Sequence, residues 1–308
     1  MVTGTKTKVI GTSTYLYTVS FYDHKGRSVQ IQSTNIAGGT DISSSQYSWT
    51  GQPLLAISKI EKAGTNAQTT IVLSKLTYDD LFRVTKTEKK ISTTKVNGGS
   101  MPSNWTTLNQ LEYNAIGHVK TKKLGADPLE TQYLDYNIRG WFLGTNRDYA
   151  KSNSNTSYWF GFDLGYDKTT IQAIGASSIG SYAAQQFNGN ITGTVWKSKG
   201  DNEIRKYDYT YDVTNRLTAA DFNQYTSGSF NKSASLDFSV SGISYDPNGN
   251  ILSMNQKSWK LGGSITIDSL LYGYNSYSNK LNYANDRTND STSWLGDFKE
   301  YSNNTSQD

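Results

Sequence analysis

Short runs along the chain alternate apolar or aromatic residues with polar ones at a period of two. That spacing places one kind of residue on each face of a β-strand. Residues 15–21, 27–32, 118–121 and 207–210 are such runs. No long stretch keeps apolar residues three and four apart, and the best helical candidate, 174–186, is interrupted by Gly175 and Gly180. The pattern predicts strands joined by tight turns, with little helix.

Between the runs one phrase returns: an aromatic, then Asp or Asn, two free residues, Gly, a polar residue and an apolar one. It reads Tyr22-Asp23-His24-Lys25-Gly26-Arg27, and more loosely Tyr47-Ser48-Trp49-Thr50-Gly51-Gln52. Further copies begin at Tyr78-Asp79, at Tyr113-Asn114 with Gly117, and at Tyr136-Asn137 with Gly140. Later ones are Tyr211-Asp212 with Asn215, Tyr245-Asp246 with Gly249, and a copy one residue longer, Tyr274-Asn275 with Asn279. Phe187-Asn188-Gly189-Asn190 is a shortened version, and Phe162-Asp163 marks another candidate.

Each copy has a mechanical reading as a hairpin turn. The Asp or Asn side chain accepts hydrogen bonds from backbone N–H groups further along the turn. Gly supplies the positive φ that closes a short loop, and Asn215 and Asn279 stand in as the next most tolerant residue. Phe82 occupies the Gly position of its copy, which predicts that this loop closes another way. The leading aromatic is expected to stack on its equivalent in the neighbouring hairpin. Most leading tyrosines lie roughly 23 to 35 residues apart, the length of a hairpin plus a connection. The longer interval from Tyr136 to Tyr211 should hold extra hairpins. We expect one continuous array over 1–284, then a polar, mobile segment over 285–308. Residues 98–104 and 150–155 should be surface loops.

These phrases resemble the tyrosine-aspartate (YD) repeats of bacterial Rhs proteins, of insecticidal toxin-complex shell components and of the teneurin ectodomain. The resemblance covers roughly residues 15–284. It implies a curved or spiralling sheet forming part of a shell around a hollow interior. In bacterial members, Rhs-like wall-associated proteins and polymorphic toxins, it implies enclosure of a toxic C-terminal segment. Two family features are missing: the plug rich in Asn-Pro-Tyr and Asp-Pro-x-Gly motifs, and the toxin that follows it. Asp246-Pro247-Asn248-Gly249 is an ordinary repeat turn that only echoes the plug. The chain starts and stops in mid-pattern, so we expect a piece of a larger protein whose export signal lies elsewhere.

Composition narrows the chemistry. Hydrophobic residues make up only 35% of 308, a share that already counts 22 Tyr, so aromatic rings must supply much of the buried surface. A net charge of +4 with scattered lysines (the doublets are Lys89-Lys90 and Lys122-Lys123) argues against a nucleic-acid footprint. No run approaches the ~20 apolar residues of a spanning helix. With no Cys, thiolate sites have no ligands, and with only His24 and His118, each inside a repeat turn, a zinc site would need carboxylates throughout, so we expect no metal and no cofactor. Asp246-x-Asn248-x-Asn250 opens like a calcium loop, but Ile251 and Lys257 stand where Gly and Glu are needed. Glu is scarce and most Asp residues belong to the repeat turns, which leaves a pair such as Asp163 and Asp167 as the candidate carboxylates for hydrolysis.

The expected role is therefore structural and non-enzymatic: an all-β shell segment at the bacterial surface or secreted. Its partners would be the rest of its own chain, including a C-terminal passenger. The alternative is a binding module for cell-surface glycan or protein, stacking ligands on Trp49, Trp105, Trp141, Trp159 and Trp196; Trp259 and Trp294 complete the tryptophans.

Overall fold

The computed structural model describes residues 1–288 and 296–298; Trp294 and the remainder of the 285–308 segment lie outside the described residues. The chain is nearly all-β, 54% strand against 1% helix, which bears out the expected antiparallel array in its fold class. Among the described residues no helix is long and apolar enough to cross a membrane. Two compact units are present, Met1–Gln132 and Tyr133–Asp308.

The first unit is a meander. Strands β1 (Gly4–Lys8), β2 (Tyr15–Tyr22), β3 (Ser28–Thr34), β4 (Thr40–Tyr47), β5 (Pro53–Lys62), β6 (Gln68–Tyr78), β7 (Val84–Thr93), β8 (Thr106–Tyr113) and β9 (Val119–Leu124) follow in order. Each pairs antiparallel with the next. The period-two pattern works as expected in β2, where Tyr15, Tyr17, Val19 and Phe21 share the more exposed face. Among the described residues no apolar side chain of this unit is buried; the buried side chains are polar, Glu88, Ser92, Thr107 and Thr121. Glu88 is held by Lys75 at 3.0 Å and Lys86 at 2.7 Å. Residues 98–104 form the expected exposed loop.

The second unit has a core. It comprises β10 (Glu130–Tyr136, beginning just before the boundary), β11 (Phe142–Thr145), α1 (Arg147–Ala150), β12 (Phe160–Gly165), β13 (Thr170–Gln172), β14 (Ser178–Ser181) and β15 (Gly193–Ser198). There follow β16 (Ile204–Tyr211), β17 (Leu217–Thr226), β18 (Ser229–Asn231), β19 (Val240–Tyr245), β20 (Ile251–Lys260), β21 (Gly263–Tyr274) and β22 (Leu281–Asp286). Pairing runs β10–β11–β12–β15–β16–β17, then β19–β20–β21–β22, with both β18 and β19 against β17. β13 and β14 pair only with each other, and β14 occupies the stretch that offered the best helical pattern. Gly175 before the strand and Gly180 within it, both at positive φ, remove the helix option, and Ile179 packs instead on the core of Ile171, Tyr182, Val195 and Ile204.

Two features of this unit differ from expectation. Residues 150–155 are not simply a surface loop, because Ala150 and Lys151 are buried beneath β12 and β15. Phe162-Asp163 does not mark a turn, because both residues lie inside β12. Asp163 is drawn inside by cationic partners, and its strand neighbours alternate outward.

Tyr182 explains two glycines. Gly165 and Gly193 face each other across β12 and β15, and the Tyr182 ring lies over both. A Cβ at Gly165 would sit 2.5 Å from that ring, and one at Gly193 would sit 2.5 Å from the Tyr207 carbonyl oxygen. Gly193→Ala is therefore expected to destabilise the chain by about 1–3 kcal/mol, the usual range for overpacking. Urea unfolding followed by Trp fluorescence checks this; an unchanged midpoint would show that Tyr182 can move aside freely.

Candidate functional site

The working unit of the chain is the repeated turn. In Asp23–Arg27 the Asp23 N–H donates to the Arg27 carbonyl at 2.9 Å, and the Gly26 N–H donates to the Asp23 carbonyl at 2.9 Å. The same two bonds close the turns that start at Ser48, Asp79, Asn114, Asn137, Asp212, Asp246 and Asn275, the last with one extra residue. The side chain of the second residue adds the expected caps. Asp23 Oδ1 accepts from the backbone N–H of Lys25 (2.8 Å) and Arg27 (2.9 Å). Asp79, Asn114, Asn137 and Asp212 do likewise, and Ser48 Oγ substitutes in the looser copy. Asp246 Oδ1 takes the Asn250 N–H at 2.8 Å.

The left-handed position is more tolerant than expected. Gly26, Gly51, Gly117, Gly140, Asn215 and Gly249 all have positive φ, and so does Phe82 at 62°. The Phe82 loop thus closes in the same way as the others, with its N–H donating to the Asp79 carbonyl at 2.9 Å. In the longest copy Tyr277, at φ 58°, takes the left-handed role expected of Asn279. Counted from the capping residue, the left-handed position comes one place earlier here than in the other turns. Asn279 instead receives the Asn250 side-chain amide at 2.9 Å and so ties its own turn to the preceding one. Asn215 makes the equivalent link to Asn188 at 2.6 Å.

Every leading tyrosine sits at a β-bulge. The register slips by one residue at Tyr22, Tyr47, Tyr78, Tyr113, Tyr136, Tyr211, Tyr245 and Tyr274. A bulge disrupts the ladder locally and increases strand twist. The carbonyl opposite the tyrosine, belonging to the residue just after the turn, is then used by the next repeat. Tyr47 Oη donates to the Ser28 carbonyl (3.0 Å), Tyr78 to Pro53 (2.7 Å) and Tyr113 to Val84 (2.7 Å). Tyr211 donates to Ile191 (2.7 Å), Tyr245 to Leu217 (2.7 Å) and Tyr274 to Ile251 (3.0 Å). Tyr166 makes the same bond to Phe142 at 3.0 Å, which identifies it as the repeat tyrosine inside the long interval.

The sixth residue of the phrase completes the clamp. Arg27, Arg83 and Arg216 each hold the carboxylate of their own turn, with Nε to Oδ2 at 2.7 Å. Each also lies over the tyrosine ring of the next repeat: Arg27 on Tyr47, Arg83 on Tyr113, Arg216 on Tyr245, at 4.4–5.0 Å. Arg27 and Arg216 further donate to the Ser48 and Asp246 carbonyls at 3.0 Å. Trp141 replaces Arg in its copy and packs on Tyr166 with ring centroids 5.2 Å apart. Guanidinium-on-ring and hydroxyl-to-carbonyl contacts thus take the place of the expected ring-on-ring stacking. The carboxylates of these turns are held below the usual range. The Arg27 N–H is the main cause for Asp23, the Arg83 side chain for Asp79, the Arg216 N–H for Asp212, and the Asn250 side chain for Asp246.

The nominated tryptophans do not converge. Lys25 Nζ lies 3.5 Å from the centroid of the Trp49 ring, Lys90 and Lys75 flank Trp105, and Lys199 lies over Trp159 at 4.5 Å. Trp196 stacks on Tyr207 at 5.3 Å within an aromatic cluster with Phe222. Trp49, 80% exposed, and Trp159, 53% exposed, keep the most open rings.

The second unit also holds a cavity of about 540 Å³, lined in part by Arg139, Arg147, Lys151, Asp163, Asp167 and Tyr182. Buried Asp163 receives Arg147 Nε at 2.6 Å, Lys151 Nζ at 3.2 Å and Tyr182 Oη at 2.9 Å. Burial first, and the Asp163 charge second, raise the Tyr182 pKa well above its ordinary value. Fully enclosed Lys197, its pKa lowered by burial, donates to the Ser152 and Asn155 carbonyls at 2.8 and 2.7 Å. Asp163 and Asp167 share the cavity wall, and Asp163 is committed to three donors. This network links residues far apart in sequence; the one local hint was a charged Asp163 set among apolar strand positions. His24 and His118 both sit in turns, as expected.

Compared with known proteins, the chain matches no family model and no curated protein.

Two substitutions probe the clamp. Tyr113→Phe and Tyr245→Phe each remove one hydroxyl–carbonyl bond and should cost about 1 kcal/mol. Tyr283→Phe, whose hydroxyl takes no part in a clamp, should be neutral; equal effects in urea titrations at all three sites would contradict the assignment. Phe82→Gly relieves a left-handed phenylalanine that is 57% exposed, and should raise stability by about 1 kcal/mol in the same assay. A loss of stability there would mean that the ring is held by contacts worth more than the strain.

Proposed function

We propose that the chain is a non-catalytic structural segment of a YD-repeat shell of the Rhs type, whose task is to wall off a passenger belonging to the same larger protein. The observation that carries this reading is the clamp between successive turns, repeated with the same donor, acceptor and bulge across both units. Such a device makes each hairpin depend on its neighbour rather than on a common core, as a wall of indefinite length requires. The first unit supports the reading in a second way. It leaves apolar rings on a sheet face and buries only polar side chains, an arrangement suited to a two-sided wall.

On this reading the protein acts at the bacterial surface or after secretion, uses no cofactor, and does not engage nucleic acid or insert into a membrane. Its chemistry is containment. The competing reading, adhesion to glycan or protein through tryptophan, draws on Trp49 and Trp159, yet lysine ammonium groups already occupy one face of each ring.

The test is native-state proteolysis of the gene product as its host encodes it, with fragments identified by mass spectrometry. A shell predicts a segment outside residues 1–288 that resists protease until the repeats are denatured. Digestion of everything outside the repeats under native conditions, together with saturable glycan binding by the chain, would favour adhesion and overturn containment.

A further inference from the structure

At the end of the second unit three carboxylates meet. Asp268 on β21, Asp286 at the end of β22 and Asp297 in the segment 296–298 each offer an oxygen, and these three oxygens all lie within 4.8 Å of one another. Asp268 and Asp286 are 3% and 5% exposed. Three like charges at this separation oppose folding unless a cation lies between them or a carboxyl takes up a proton, and burial first, then the charges of Asp286 and Asp297, raise the Asp268 pKa.

The hydrogen bonding shows what is missing. Asp286 Oδ1 is turned to the backbone, accepting from the N–H of Ser269 at 2.8 Å and of Thr288 at 3.0 Å. Its other oxygen, Oδ2, is enclosed and receives no hydrogen bond. Asp268 Oδ1 accepts the Phe298 N–H at 2.8 Å, so the backbone of 296–298 is already drawn onto β21. The ion pairs formed by Lys232 and Lys257 go to Asp221 and Asp237, and among the described residues no ion pair reaches Asp268 or Asp286. An enclosed carboxylate oxygen without a donor, facing two further carboxylates, has the chemistry of a cation ligand.

We propose that Asp268, Asp286 and Asp297 bind one divalent cation, calcium by ligand chemistry, which pins the 296–298 segment to β21 and β22. An all-oxygen donor set excludes the nitrogen and sulfur preferences of zinc. Magnesium dehydrates reluctantly and usually takes one or two carboxylates, whereas calcium accepts several at 2.3–2.6 Å in flexible geometry. Oxygens up to 4.8 Å apart can lie on opposite sides of one calcium ion. The site is distinct from the aspartates of the repeat turns, which are already satisfied by backbone N–H groups and by arginine or, at Asp246, by Asn250.

The experiment uses the full chain after treatment with chelator. Terbium luminescence sensitised by nearby tyrosine should saturate at one equivalent and be competed away by calcium. Calcium at about 1 mM, a concentration at which extracellular sites fill, should raise the Tm, and Asp286→Asn should abolish both responses. Because Asp286→Asn removes one of three neighbouring carboxylate charges and keeps the oxygen that accepts from the Ser269 and Thr288 N–H groups, the variant should fold at least as well as the metal-free parent, and its circular dichroism checks this. Absence of saturable terbium emission in the parent would overturn the proposal, as would an unchanged calcium response in Asp286→Asn. An equal Tm rise with magnesium would overturn the assignment to calcium.

Discussion

The rest of the structure depends on one hydrogen bond, made over and over: a tyrosine hydroxyl donating to the carbonyl that follows the preceding turn. That carbonyl lies beside a bulge, where the regular ladder is interrupted. Supplying its donor from the next hairpin means that no repeat is complete without its successor. Arg27, Arg83 and Arg216 strengthen the dependence by binding their own carboxylate and lying over the next ring. The composition follows from this. A chain held hairpin to hairpin by tyrosine, aspartate and arginine does not need the leucine and valine of a thick core.

The two units use the device to different extents. In Met1–Gln132 it works with almost nothing else: among the described residues the buried side chains are polar, and buried Glu88 is held by the more exposed Lys75 and Lys86. In the unit that begins at Tyr133 the meander is interrupted. The side pair β13–β14 and the short helix α1 are inserted, and around them grow a core and the network of Asp163, Arg147, Lys151 and Tyr182. The tyrosine rhythm nevertheless continues through Tyr166 and Tyr211, so the insertion is carried by the array and does not replace it.

Much of the array was legible because its turns are local. A side chain that caps its own loop, followed at fixed distance by a residue that tolerates positive φ, leaves a signature within six residues, as at Asp23–Gly26 and Asn114–Gly117. Phe82 and Tyr277 hold left-handed positions for the converse reason: local preference is worth only about 1–2 kcal/mol, and the cooperating clamps of the array outweigh it. Tyr166 escaped because Thr170, not glycine or asparagine, stands four residues after it, and the turn at Asn35–Gly39 escaped because no tyrosine precedes it. The buried network and the meeting of Asp268, Asp286 and Asp297 depend on contacts between distant strands, and nothing in local spacing reports them. The tryptophans were visible as residues, but their lysine neighbours come from other hairpins or from across the strand.

The central claim, that neighbouring hairpins hold one another without a shared apolar core, is tested most directly by native-state hydrogen exchange across Met1–Gln132. The account predicts that the capped turn amides of Arg27, Arg83 and His118 are protected like the strands beside them. It further predicts that protection is lost in hairpin-sized steps from the ends as denaturant rises. One common opening free energy for all nine strands, or turn amides exchanging as fast as free peptide, would contradict it.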